Sequence, residues 1–90
     1  MANSIQTTGM TGGTITTTHN PGESVSAWVS RHTTAVDKGN PGNTLTTAWP
    51  CASGEEISTT NRDVGESDKD FILRHEAGYM LAMIDCPPVP

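Results

Sequence analysis

Residues 15–36 and 57–79 of this chain are degenerate copies of one another, and no other feature limits the fold as strongly. At an offset of forty-three, Gly22-Glu23-Ser24 falls on Gly65-Glu66-Ser67, Trp28-Val29 on Phe71-Ile72, and Arg31-His32 on Arg74-His75. With one residue of slippage, Ile15-Thr16-Thr17-Thr18 falls on Ile57-Ser58-Thr59-Thr60. Self-similarity at a fixed period means one supersecondary unit used twice, each copy too small to bury its apolar face alone. Ninety residues make one small domain, so the copies are expected to share a core.

The local signals give the unit its shape. Asn3 to Thr8 reads as a strand, Gly9 to Gly13 as a loop and Thr14 to Thr18 as a second strand, since β-branched residues favour the pleated conformation. Ser24 is a good N-cap for a helix from about Val25 to Val36, with Lys38 and Gly39 expected at its C-terminal end and Asn40-Pro41-Gly42-Asn43 as the stop. The order then recurs: strand Thr44 to Trp49, loop Pro50 to Gly54, strand Glu56 to Asn61 and a helix capped by Ser67 that runs to about Ile84. Asp70 follows that cap by three residues as an S-x-x-D capping box. The expectation is an α+β fold of two ββα units, about 3–42 and 43–86, with a Pro-rich tail at 87–90. They would form a four-stranded, mainly antiparallel sheet with both helices on one face. A rival reading breaks the second helix at Glu76-Ala77-Gly78 into a hairpin.

Composition excludes several functions. Lys and Arg number five against ten Asp and Glu, a net charge of −5, and the excess acids all lie in the second unit. Nucleic-acid binding needs clustered basic residues, which are lacking, and an anionic membrane surface is disfavoured for the same reason. No apolar run approaches the roughly 20 residues of a membrane span, and Met1 to Met10 lacks the pattern of a signal peptide. A cytoplasmic location is expected.

On a helical wheel of about 100° per residue, His32 and His75 fall inside the apolar stripe that begins at Trp28 and Phe71. Arg31 and Arg74 fall on the flank, stems over apolar surface and heads in water. Two histidines near a pseudo-twofold axis are metal-ligand candidates, with help from Cys51, Cys86 or His19. Buried neutral imidazoles bonded to strand carbonyls or Thr hydroxyls explain the same positions. His75-Glu76-Ala77-Gly78-Tyr79 resembles the HEAGH helix of zinc metalloproteases, in which two His hold zinc and the Glu activates water. Tyr79 stands in place of the second ligand, and the first copy has Thr33 where the second has Glu76. A repeated His without a repeated Glu points to packing.

Cys51 and Cys86 occur only in the second copy, where the ββα geometry makes the first loop and the helix end neighbours. A disulfide is one expectation and two packed thiols the other. The second helix carries a further apolar group, Leu73, Met80 and Ile84, that one sheet cannot cover; the first helix and the tail would cover it, or a homodimer would. Trp49 at the hairpin tip is either an exposed anchor or packed beneath the second helix. The leading expectation is a non-enzymatic protein-interaction or structural module without cofactor, its partner a protein or itself. The alternatives are a metal-binding or hydrolytic protein centred on His32, His75 and Glu76, and an acidic inhibitor of a basic partner site.

Overall fold

The computed structural model describes residues 3–90. The order is β1 (Ser4–Met10), β2 (Ile15–Thr18), α1 (Val25–Asp37), β3 (Pro41–Cys51), β4 (Gly54–Asn61) and α2 (Asp68–Asp85). The class is α+β, with one open sheet of strand order β2-β1-β3-β4, antiparallel at every pairing. α1 packs over β1 and β2, and α2 over β3 and β4. No helix among the described residues is long and apolar enough to cross a membrane.

The helices start where their caps demand. Ser24 Oγ accepts from Ala27 N–H and Ser67 Oγ from Asp70 N–H, each at 3.1 Å, which satisfies one donor that the first helical turn leaves free. Gly22 and Gly65 precede the caps at φ of +79° and +78°, a turn conformation that L side chains rarely adopt. The end of α1 differs from expectation. Lys38 is right-handed helical and Gly39 is not among the glycines of positive φ, so Gly39 is no left-handed C′ residue. Its role is steric, because a Cβ there would run into the Met10 side chain.

Both central strands outrun their sequence signals. β1 continues through Gly9, where the register shifts in a bulge beside β3; a Cβ at Gly9 would collide with the Thr44 carbonyl. β3 begins at Pro41 and includes Pro50 and Cys51, residues read above as turn and loop. Pro41 opens its strand and Pro50 lies at the hairpin end, positions where the absent N–H is tolerated. α2 is continuous through Gly78, which rules out the rival hairpin. The absent side chain of Gly78 leaves it facing Ser58 and Thr60, with a Cβ there reaching 3.7 Å from Ser58 Oγ.

The slipped alignment of the second strands does not hold in three dimensions. Thr17 and Thr60, at the unslipped offset, make the same bond to the histidine of their own unit. One residue of slip reverses every side chain in a strand. Ile15 is therefore half-buried under α1, while Ile57 is exposed on the helix-free face.

Two apolar clusters form the core, and each draws on both copies. Ile5 and Trp28 join Trp49, Tyr79 and Met83 at one end. Met10 and Val36 join Leu45, Phe71 and Ile72 at the other. Trp28 and Trp49 are buried, and burying each contributes about 4–6 kcal/mol as an upper estimate, so these two dominate the apolar term of an aromatic-poor chain. Trp49 is 1% exposed, with Nε1–H donating to Cys86 O. It is no surface anchor: the strand continues two residues past it and the end of α2 covers it.

Candidate functional site

Between the two apolar clusters lies a buried row of four polar side chains, Thr7, Thr47, His32 and His75, each 0% exposed. Thr7 and Thr47 face the helices from the two central strands and share a hydrogen bond of 2.7 Å. Thr7 Oγ1 lies 2.8 Å from His32 Nε2, and Thr47 Oγ1 lies 2.7 Å from His75 Nε2. The Nδ1 atoms lie 2.9 Å from Thr17 Oγ1 and Thr60 Oγ1. Six residues thus form one unbranched chain, Thr17–His32–Thr7–Thr47–His75–Thr60, across the full width of the sheet. Both rings sit in fixed orientation, and all four ring nitrogens have a hydroxyl partner.

Burial holds both imidazoles neutral. It pushes His32 down to about 4, with His75 a secondary cause. It pushes His75 down to about 4 as well, with the Arg74 charge secondary. Tyr79 edges onto both rings, at centroid distances of 6.3 and 5.4 Å. Its own hydroxyl meets Thr33 Oγ1 at 2.8 Å, so the position that would carry a second zinc ligand in a HEAGH helix ties α2 to α1.

Glu76 does not join this row. It is 5% exposed, and its Oε2 has no hydrogen-bonding donor. Burial first, and the neighbouring Asp37 carboxylate second, raise it to about 8. Both causes favour the protonated form of Glu76, which faces Asp37 at the end of α1. Nothing in the repeat signalled this pair, because Asp37 falls outside the copied segments and the counterpart of Glu76 is Thr33.

The turns before the helices carry a second repeated device. Glu23 accepts from Asn20 N–H and from Arg31, whose Nη2 also donates to Thr18 O. Glu66 accepts from Asp63 N–H and from Arg74, whose Nη2 also donates to Asn61 O. The Arg partner in each case holds the carboxyl well below its usual range. Arg31 and Arg74, read above as flank residues with free heads, instead clamp a helix to the turn before it. Their recurrence with Glu23 and Glu66 was the signal. His19 and Arg62 also correspond: His19 meets the Trp28 ring edge-to-face and bonds Glu23 O, while Arg62 lies over Phe71 and bonds Glu66 O.

Cys51 and Cys86, 35 positions apart in sequence, are joined in a disulfide with Cα atoms 5.7 Å apart, a closure that contributes about 3–4 kcal/mol in the chain-entropy account. Among the described residues, the one group of three His, Cys, Asp or Glu ligand atoms lying together is Cys51, Glu56 and Cys86. The histidines are not part of it.

The helical layer has an apolar exterior. Leu73, Met80, Leu81 and Ile84 are all exposed on α2. Between α1 and α2 runs a groove of about 400 Å³ lined by Val25, Val29, Met80, Met83, Ile84 and the tail prolines Pro87 and Pro88. The tail forms one wall because it is tied to the sheet edge: Pro88 bridges to Cys51, Val89 N–H donates to Pro50 O at 2.9 Å, and Asn3 Nδ2 donates to Val89 O at 2.8 Å. The opposite sheet face is free of helices and mostly uncharged, with Gln6, Thr8, Thr16, Thr46, Ile57 and Thr59 on it. Compared with known proteins, the chain matches no protein-family model, no curated protein and no solved structure.

Proposed function

We propose that this protein is a non-enzymatic interaction module that takes an apolar segment of a protein partner, a second copy of this chain included, in the groove between α1 and α2. The observation that carries the reading is the groove, whose walls are Val25 and Val29 on one side and Met80, Ile84 and Pro87 on the other. Methionine is unbranched and adapts its shape, which suits a surface that must fit another protein's side chains. Ile84 is 73% exposed at the rim, beside the exposed Met80, and contiguous exposed apolar surface of this kind marks an interaction site.

The metal-binding reading of His32, His75 and Glu76 draws no support from their surroundings. The ring nitrogens are engaged by hydroxyls, and Glu76 turns towards Asp37. The acidic-inhibitor reading is weakened by pairing, since Glu23, Asp63, Glu66 and Asp68 each meet an arginine of the same chain.

A photo-reactive residue in place of Ser30, which lines the groove, tests the proposal in the cells that make the protein, with sedimentation over a concentration series reading self-association. The expected result is one defined adduct, or a dimer, abolished by Ile84→Asp with no change in melting temperature. A monomer at all concentrations that forms no adduct, or an adduct indifferent to Ile84→Asp, overturns it.

A further inference from the structure

The sulfurs of Cys51 and Cys86 and a carboxylate oxygen of Glu56 all lie within 4.8 Å of one another. Ser53 Oγ stands beside them, 3.4 Å from one sulfur and 3.5 Å from the other. We propose that, once its disulfide is reduced, Cys51, Cys86 and Glu56 bind a thiophilic divalent cation of the zinc class, with Ser53 or a water in the fourth position. Two thiolates and a carboxylate at bond lengths of about 2.0–2.3 Å from a common centre form three corners of a tetrahedron.

The backbone keeps the ligands together without the sulfur–sulfur bond. Cys51 is the last residue of β3 and is paired with Gly54 across the hairpin. Glu56 is fixed two pairs further along the hairpin, opposite Trp49. Cys86 is held from both sides: its N–H donates to Ala82 O at 3.1 Å and its carbonyl accepts from Trp49 Nε1 at 2.9 Å. Beyond it, the Pro88 bridge to Cys51 and the Val89 bond to Pro50 pin the tail to the same hairpin. Reduction therefore leaves two thiols and a carboxylate preorganised rather than dispersed.

The electrostatics favour a cation and not free thiolates. Cys86 caps α2, whose last turn contains no basic residue, so the negative end of the helix dipole is uncompensated there. Glu55 and Asp85 adjoin two of the ligands in sequence, and the five Lys and Arg residues all lie elsewhere, at positions 31, 38, 62, 69 and 74. A bound divalent cation offsets that negative charge, and the thiol protons leave as it binds.

The reaction balances in two steps. A dithiol reductant passes two electrons and two protons to the Cys51–Cys86 bond and becomes a disulfide itself. The cation then releases both thiol protons to solvent and forms two metal–sulfur bonds and one metal–oxygen bond, leaving one net negative charge on the cluster. Cross-link and metal are mutually exclusive, so the redox state of this hairpin selects which of them holds α2 to β3.

Cobalt(II) is the probe, titrated into the full chain after reduction with a phosphine under anaerobic conditions. The expected result is one equivalent bound with thiolate charge-transfer and tetrahedral ligand-field bands, displaced by zinc, and no bands with the oxidised protein. Cys51→Ser should remove the bands. Glu56→Gln keeps both thiols and should weaken binding by roughly tenfold or more, at least as much as losing an outer-shell partner costs. If Cys51→Ser does not fold by circular dichroism, Glu56→Gln decides alone. Absence of stoichiometric cobalt binding by the reduced protein, or unchanged affinity in Glu56→Gln, overturns the proposal.

Discussion

Thr7 and Thr47 share one hydrogen bond of 2.7 Å at the centre of the sheet, and that bond forbids the two halves of the molecule from being alike in their protons. Each hydroxyl has one hydrogen and each neutral imidazole one N–H. If Thr7 donates to Thr47, it must accept from His32 Nε2, whereas Thr47 is free to donate to His75 Nε2. With both histidines donating from Nε2, one central hydroxyl hydrogen is left buried without an acceptor, a cost of about 1–3 kcal/mol. With both accepting there, the two threonine oxygens meet with no hydrogen between them.

The first prediction is therefore that the two histidines are opposite tautomers. Run from Thr17 to Thr60, the chain ends on the half-buried Thr60, whose spare hydrogen can reach solvent; reversed, it would end on Thr17, which is 5% exposed. His32 should carry its proton on Nε2 and His75 on Nδ1. Long-range proton–nitrogen correlation spectra of the imidazoles read this directly, and two identical tautomers would refute it.

Cutting the chain at its middle should be costly. Thr47→Val preserves the shape but removes the bonds to both Thr7 and His75, with an expected loss of about 2–3 kcal/mol in urea unfolding. Thr46→Val, one residue away on the open face, removes an exposed bond to Thr59 and should fall within about 0.5 kcal/mol of the parent. Equal effects of the two would contradict the account.

Stability should pass through a maximum near pH 6–6.5. The unfolded chain takes up protons on His32 and His75 below its ordinary value of 6.5, but the folded chain resists until about 4. Stability that is full above 6.5 is thus eroded as the pH falls, by about 1–2 kcal/mol per histidine between pH 6.5 and 5. Glu76 acts in the opposite direction. Burial and Asp37 raise it from 4.5 to about 8, so its contribution is full below 4.5 and is lost as the pH rises towards 8. Glu76→Gln should flatten the alkaline limb and spare the acid one. Thermal melts from pH 4 to 9 for both proteins check this, and an unaltered alkaline limb would exclude the Glu76–Asp37 pair as its cause.

Trp28, Phe71, His32 and His75 were legible as core residues because helical periodicity is local and their spacing is one face of a helix. Ser24 and Ser67 were legible as caps for the same reason. Trp49 was not, since burial at a strand end depends on what the far end of α2 does. Glu23 and Glu66 were visible as repeated residues but not as clamps, because their arginine partners lie eight positions away and meet them only once strand, turn and helix are assembled. The alignment of Ile15 with Ile57 misled: residue type matched, but strand register follows the face that is buried.

By itself, then, the sequence determined the two ββα units, their punctuation, the acidic balance and the inward-facing histidines, all consequences of local conformational preference and period. Only the tertiary structure decided what those histidines meet. The Thr7–Thr47 contact, the Glu76–Asp37 pair, the groove walled by Pro87 and the convergence of Cys51, Glu56 and Cys86 each join residues from different elements. Such distances depend on how the elements pack, and spacing along the chain does not encode them.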